Sequence, residues 1–271
     1  MKKIGAGFWL FSSESLNLNK DKILIDLSEE KSNHFGDQLF FISAFLNKNT
    51  DRFIFLTNKK YLMLWRTFGF QNVFDSISDL EFDKFIYVSS YETSFLNKKF
   101  STNFTRKVFF DFTDTTIVDP LSQHISNIFG LIQTETKSFK FDEKNNSYTN
   151  DKYYIFNDIM YSRGFLRNKL SKKLKQYIEN EIGYKNNIYF VGSLSDKEFF
   201  NFNPRLIDIR GEISFEELLN LFMHKNCLGY IGLDNGLMHL SLLLDLKCKI
   251  LFRGKFSKSQ TDLHHRSINI A

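Results

Sequence analysis

Tyr230-Ile-Gly-Leu-Asp-Asn-Gly-Leu-Met-His-Leu-Ser241 is the stretch on which the fold turns. An apolar run ends in Asp-Asn-Gly, and a helical pattern, Leu237 to Leu244, starts at once. That order describes a buried strand, a tight turn and a helix. In open α/β sheets, ligands bind at the carboxyl ends of the strands. Free N–H groups at a helix N-terminus attract anions, and a glycine there lets a phosphate come close to the backbone. Asp234 or Asn235 can cap the helix. His239, on the first turn, can add a donor to the same anion. An ordinary Asn-Gly turn with a satisfied polar histidine explains the same dipeptide, so the surroundings have to decide.

Working outward, the same alternation recurs along the chain. Strand patterns cover Lys22 to Leu27, Asp51 to Thr57, Phe85 to Ser89 and Lys107 to Asp111 in the first half. In the second half they cover Tyr153 to Phe156, Ile188 to Gly192, Leu228 to Gly232 and Lys249 to Phe252. Helical patterns lie between them at Gln38 to Leu46, Tyr61 to Phe68, Asn168 to Ile182, Phe215 to His224 and Leu237 to Leu244. Strands alternating with helices predict βα units and parallel sheets. The polar stretch Asp142 to Asp151 is the best linker, giving two α/β halves, 1–147 and 148–271. Lys255 to Ala271 reads as a polar tail after the last strand. Gly5-Ala-Gly7 reads as an isolated glycine pair with no strand before it.

Composition bounds the class. The 271 residues carry 36 Lys and Arg against 31 Asp and Glu, a net charge of +5. That surplus admits an anionic ligand or a membrane surface and calls for no nucleic-acid partner. With 42% hydrophobic and 25% charged residues, disordered and fibrous classes are excluded. Cys227 and Cys248 do not make a disulfide framework and suit a reducing compartment. No signal peptide is apparent, and no apolar run reaches the roughly 20 residues of a membrane helix. A cytoplasmic protein is expected, with peripheral contact to the inner membrane as an option. Lys59, Lys60 and Arg66 back a core-facing stripe, Leu62, Leu64 and Trp65, rather than forming an anchor. The 32 phenylalanines read as compositional drift.

Three segments of the second half carry a family likeness. Phe190-Val-Gly-Ser193 leads to Asp208-Ile-Arg-Gly-Glu-Ile-Ser-Phe-Glu-Glu-Leu-Leu219, and that to Asp234-Asn-Gly-Leu-Met-His-Leu-Ser241. Their order and spacing, over about the last 90 residues, resemble the ADP-heptose:lipopolysaccharide heptosyltransferase family. There the last motif is Asp-(Ser/Thr)-Gly-x-x-His-hydrophobic-Ala; here Asn and Ser replace the Ser/Thr and the Ala.

The resemblance implies a GT-B-like α/β fold, two Rossmann-like domains with parallel sheets facing a central cleft. It implies an acceptor-side domain at 1–147 and a nucleotide-sugar donor domain at 148–271. It implies a glycosyltransferase acting on a lipopolysaccharide- or capsule-type acceptor, a saccharide or lipid-linked saccharide. Asp234, Asn235, Gly236 and His239 would lie at the donor diphosphate, with Gly211 to Ser214 near the nucleoside and Arg163 on donor phosphate. In the first half, Asn33-His34-Phe35-Gly36-Asp37 follows a strand and opens a helix. Asp37 reads equally as an N-cap or, by the resemblance, as the general base of an inverting transfer. His34 and Gly36 would then face the acceptor.

No cofactor is expected, and no metal. The Asp-x-Asp signature of metal-dependent transferases is missing, and Asp111-Phe-Thr-Asp114 has the wrong spacing. Asp262-Leu-His-His265 presents two histidines to different sides. Arg253-Gly-Lys255 is a weaker phosphate candidate than Arg163. Two further readings remain open: a polysaccharide pyruvyltransferase-like enzyme, which shares similar Gly-Asp openings, and a non-catalytic nucleotide-sugar-binding subunit.

Overall fold

A computed structural model describes residues 2–5, 8–10, 17, 20–28, 34–76, 84–90, 106–111, 117, 120–132, 151–158, 172–192, 203–252 and 267–270. The chain divides into two compact units, Met1–Phe139 and Lys140–Ala271.

The first unit holds β1 (Lys2–Gly5), β2 (Phe8–Leu10), β3 (Lys22–Leu27), β4 (Phe53–Thr57), β5 (Val73–Phe74), β6 (Phe85–Ser90) and β7 (Lys107–Phe110). Their order in the sheet is β1-β2-β7-β6-β3-β4-β5. β3 to β7 run parallel. β1 and β2 form an antiparallel hairpin against β7. Taken alone, the parallel strands follow the order of a doubly wound nucleotide-binding sheet, with the direction of winding reversing between β3 and β6.

Among the described residues, three helices accompany this sheet: α1 (Phe35–Phe45), α2 (Lys59–Thr67) and α3 (Leu121–Ile128). β3 has Ile23, Leu24, Ile25 and Leu27 fully buried, as a parallel strand covered on both faces requires. The phenylalanines read as drift build the core. Phe45 meets Phe53 edge-on at 4.7 Å and Phe55 at 5.0 Å. Phe8 stacks on Phe110 at 4.2 Å. Such pairs add about 0.5–1.5 kcal/mol each beyond simple burial. Leu64 and Trp65 of α2 point into this core, as their stripe predicted.

The second unit holds β8 (Tyr153–Asn157), β9 (Asn187–Phe190), β10 (Leu206–Asp208), β11 (Cys227–Leu233), β12 (Cys248–Leu251) and β13 (Ser267–Asn269). All six run parallel in the order β10-β9-β8-β11-β12-β13. This is the full 3-2-1-4-5-6 order of the dinucleotide-binding fold, and its switch point lies between β8 and β11.

The described helices of this unit are α4 (residues 172–182), α5 (Phe215–Met223) and α6 (Gly236–Leu243). Leu174, Ile178 and Ile182 of α4, spaced four apart, pack on Phe156, Ile188, Phe190, Ile231, Leu233 and Leu251. α4 ends in a π-helical turn, Ile178–Ile182, in which the Gly183 N–H donates to the Ile178 carbonyl at 2.8 Å. Gly183 takes a left-handed φ of 64°, which closes the helix.

Several elements differ from the sequence reading. Gly5 ends β1, so the glycine pair does follow a strand, one arm of the hairpin. The polar tail contributes a sixth parallel strand, β13, whose neighbour Ile270 is buried. β5, β10 and α3 were not anticipated. α1 begins at Phe35, not after Asp37.

Candidate functional site

At the switch point of the second unit, Asn157 ends β8, and Asp234 and Asn235 follow β11. Asn235 is the N-cap of α6. Its Oδ1 accepts the N–H of Leu237 at 3.0 Å and of Met238 at 3.3 Å. The same oxygen accepts the Tyr230 hydroxyl at 3.1 Å. Asn235 Nδ2 donates to Asn157 Oδ1 at 2.7 Å, and Asn157 Nδ2 donates to the Val191 carbonyl at 2.6 Å. One chain of hydrogen bonds thus ties the ends of β9, β8 and β11 to the first turn of α6.

Gly232 makes this possible. A Cβ there would stand 2.3 Å from both the Asn157 carbonyl oxygen and the Tyr230 hydroxyl. Tyr230 is fully buried beside it, and that burial raises its phenol far above the ordinary range, so it serves as a neutral donor.

The residues expected at the donor diphosphate therefore gather at one turn. Asp234 is buried, 5% exposed, and Gly236 and His239 are half-buried on the first turn of α6. Asn235 differs from the expectation in one respect: both ends of its amide are engaged within the protein. Asp158, next after β8, is also buried and close enough to Tyr230 to influence it, as Asp234 is.

Two strands away, Gly211 has a left-handed φ of 68°, and its N–H donates to the Gly192 carbonyl at 2.9 Å. Ser214 caps α5: its Oγ accepts the Glu217 N–H at 3.2 Å, and Glu217 Oε2 accepts the Ser214 N–H at 2.7 Å. Gly211 and Ser214 are exposed and lie on the carboxyl-end side of the sheet. Between them and β10, Arg210 grips Asp208 with two bonds, Nε to Oδ1 at 2.9 Å and Nη2 to Oδ2 at 2.8 Å. Its guanidinium also stacks 4.3 Å over Phe190. Arg163, Arg253, Lys255 and the Asp262 to His265 run lie outside the described residues.

In the first unit, His34, Gly36 and Asp37 meet at the start of α1. His34, exposed, is the N-cap, and Gly36 lies inside the first turn. Asp37 is the third helical residue, not the cap, and its Oδ2 accepts the His34 N–H at 2.8 Å. Burial pushes the Asp37 carboxyl up to about 7, against the lowering effect of that hydrogen bond. A carboxylate poised near neutrality suits general-base chemistry.

The next residue fixes this helix start to the sheet. Gln38 is fully buried; its Nε2 donates to the Leu27 carbonyl at 3.0 Å. Its Oε1 accepts Thr57 Oγ1 at 2.9 Å and Trp65 Nε1 at 2.8 Å. At the switch point of this unit, buried Asp26 accepts the Tyr87 hydroxyl and, at 2.7 Å, Ser28 Oγ.

Sequence reasoning passed over Asn157, Asp158, Asp26 and Gln38. An acid inside the apolar run Ile23–Leu27 was the available signal for Asp26. Among the described residues no group of three or more His, Cys, Asp or Glu is placed to hold a metal. Burial pushes both cysteine thiols up to about 12, which makes them core groups rather than nucleophiles at neutral pH.

No family model matches the sequence, and no curated protein matches it either. Solved structures do. A glycosyl transferase family 9 protein from Veillonella parvula superposes with a TM-score of 0.60 at 14% identity, over 94% of this chain and 86% of that one. The chain shares the mixed α/β fold, with parallel sheets, of this glycosyltransferase. E. coli ADP-heptose LPS heptosyltransferase II matches with a TM-score of 0.59 at 10% identity, over 91% of this chain and 89% of that one. E. coli heptosyltransferase WaaC, solved with ADP, matches with a TM-score of 0.55 at 10% identity, over 91% and 92%. The likeness read from motifs in the second half thus holds, as a likeness of fold, across both halves of the chain. Among the described residues no helix is long and apolar enough to cross a membrane.

Proposed function

We propose that the protein is an inverting, metal-independent glycosyltransferase. It takes a sugar from a nucleotide-sugar donor and passes it to a bacterial surface-glycan acceptor of lipopolysaccharide or capsule type. The observation that carries this reading is the placement of the Asp234-Asn-Gly-Leu-Met-His239 turn at the switch point of a six-stranded parallel sheet. The likeness of fold to a heptosyltransferase solved with ADP supports it.

In this reading a donor domain at 148–271 takes the nucleotide sugar, and an acceptor-side domain at 1–147 takes the acceptor. An acceptor hydroxyl attacks the anomeric carbon as the carbon–oxygen bond to the diphosphate breaks. Asp37 receives the hydroxyl proton, and the nucleoside diphosphate leaves with the bonding electrons. The positive end of the α6 dipole, His239 and Arg163 offset the charge that develops on the leaving phosphate. Gly211 and Ser214 border the nucleoside, and His34 and Gly36 border the acceptor. The work is done in the cytoplasm, against the inner membrane where the acceptor is lipid-linked.

A thermal-shift panel without added metal tests this. It contains ADP, GDP, UDP, CMP and phosphoenolpyruvate. A ligand held only by the folded state raises Tm. A shift with one nucleotide that disappears in His239→Ala is expected. A shift with phosphoenolpyruvate alone would replace the reading with a pyruvyltransferase.

A further inference from the structure

We infer that Asn157 is a positioning residue for the donor turn, acting through Asn235; this rests on the donor-site reading above. The geometry has three parts. Asn157 ends β8, on one side of the switch point, and is 3% exposed. Its Oδ1 is held against Asn235 Nδ2 at 2.7 Å, across 78 residues of sequence. Its Nδ2 is anchored on the Val191 carbonyl at 2.6 Å, so the amide cannot turn over without losing both bonds.

That fixed orientation has a consequence at α6. An asparagine side chain can present either oxygen or nitrogen to a helix start, and only the oxygen caps. Asn157 offers Asn235 an acceptor, so Asn235 must point Nδ2 toward β8 and Oδ1 toward α6. The Oδ1 then receives Leu237 N–H, Met238 N–H and the Tyr230 hydroxyl. With those two amides drawn onto the cap, the first turn is set at one height and angle above the strand ends. Any diphosphate bound there meets a pre-oriented helix start and spends no binding energy on ordering it. A serine at 235 could cap, but its single hydroxyl could not also donate along the Nδ2 path to Asn157.

A double-mutant cycle on the full chain tests this. ADP, UDP, GDP and CDP are titrated calorimetrically against wild type, Asn157→Ala, Asn235→Ser and the double variant. Asn157→Ala is expected to weaken the nucleotide that binds about tenfold. In the Asn235→Ser background the same change is expected to cost less than twofold, because the bridge is already gone. An unchanged Kd in Asn157→Ala, or a tenfold loss in both backgrounds, would overturn the inference while leaving the donor site standing. A wild type that binds none of the four would overturn both. Where Asn157→Ala does not fold, Asn157→Asp takes its place. It keeps an oxygen facing Asn235 Nδ2 and loses the amide donor to Val191. Retained affinity supports the route through Asn235, and loss of affinity assigns the role to the Val191 anchor instead.

Discussion

Asp37 gives the sharpest test of the proposed chemistry, because capping and catalysis predict different pH behaviour. Its carboxyl lies at about 7, raised from 3.8 by burial. At pH 6 about one-tenth of the protein therefore carries the base form, and at pH 8 about nine-tenths. For an essential base, kcat/KM rises about tenfold per pH unit below 7 and levels off above 8. Asp37→Asn retains an oxygen to accept the His34 N–H, so the helix start survives, while the base is lost and the rate falls about 100- to 10,000-fold. Stability moves the other way. A carboxyl raised above its unfolded value contributes stability that is complete below pH 3.8 and lost as pH climbs through about 7. The shift bounds that loss at about 4 kcal/mol. Partial solvation of the half-buried side chain reduces it to about 1–2 kcal/mol. Asp37→Asn should therefore gain on wild type in urea melts between pH 5 and 8 while losing activity. The assay is nucleoside diphosphate release, run beside urea melts at pH 5, 6, 7 and 8. A flat rate profile together with near-wild-type turnover in Asp37→Asn would leave Asp37 as a cap and nothing more.

Other outcomes follow from packing and hydrogen bonding. Gln38→Leu strands the Leu27 carbonyl, the Thr57 hydroxyl and the Trp65 N–H in the core, at a cost of about 3–5 kcal/mol in a urea melt. Gly232→Ala forces a Cβ into the Asn157 carbonyl and the Tyr230 hydroxyl; about 3 kcal/mol of stability and the nucleotide-induced Tm shift should go together. Arg210→Lys breaks the fork to Asp208 and the stack on Phe190, at about 1–2 kcal/mol near pH 7. Burial works to raise the Asp208 carboxyl, but the Arg210 hydrogen bonds and charge outweigh it and hold it below the usual range. That contribution is present above about pH 4 and lost below it, so the wild-type and Arg210→Lys melting curves should converge as pH falls through 4.

How much of this was legible in the sequence depends on how local each signal is. β3, β4, β8 and β11 are short apolar runs rich in β-branched and aromatic residues and bounded by turns, and their length and composition identify them. The Asp-Asn-Gly turn announces α6 because cap, glycine and apolar periodicity stand together within five residues. β5 has two residues and β10 three, too few to show a period. β13 hides in a polar stretch because an edge strand needs few apolar side chains. The start of α1 was misplaced because Asp37 is a favoured capping type. The structure uses it three residues further in, as the acidic partner of a capping box. Composition counts phenylalanines without showing that Phe45, Phe53, Phe55 and Phe129 converge on one another.

The residues that escaped notice share a physical reason, and it concerns the site itself. In a doubly wound sheet the two central strands come from distant parts of the chain, and their ends diverge where the winding reverses. Each unit closes that place with a tyrosine on one central strand. In the first, Tyr87 on β6 donates to Asp26 on β3. In the second, Tyr230 on β11 donates to Asn235, which reaches Asn157 on β8. Each partner is an ordinary polar residue in its own segment, and 61 or 78 positions separate the bonded pair. No period or motif of local length can register such a pair. What the sequence does register is the space it needs: Gly232, two residues after Tyr230, leaves the room into which the phenol swings. Tyr230-Ile-Gly232 is thus a local sign of the second unit's non-local contact, whereas Tyr87-Val-Ser89 in the first carries none. If that contact sets the donor turn, Tyr230→Phe should weaken nucleotide binding less than Asn157→Ala does, because losing the hydroxyl leaves the Asn157 bridge holding the cap in register.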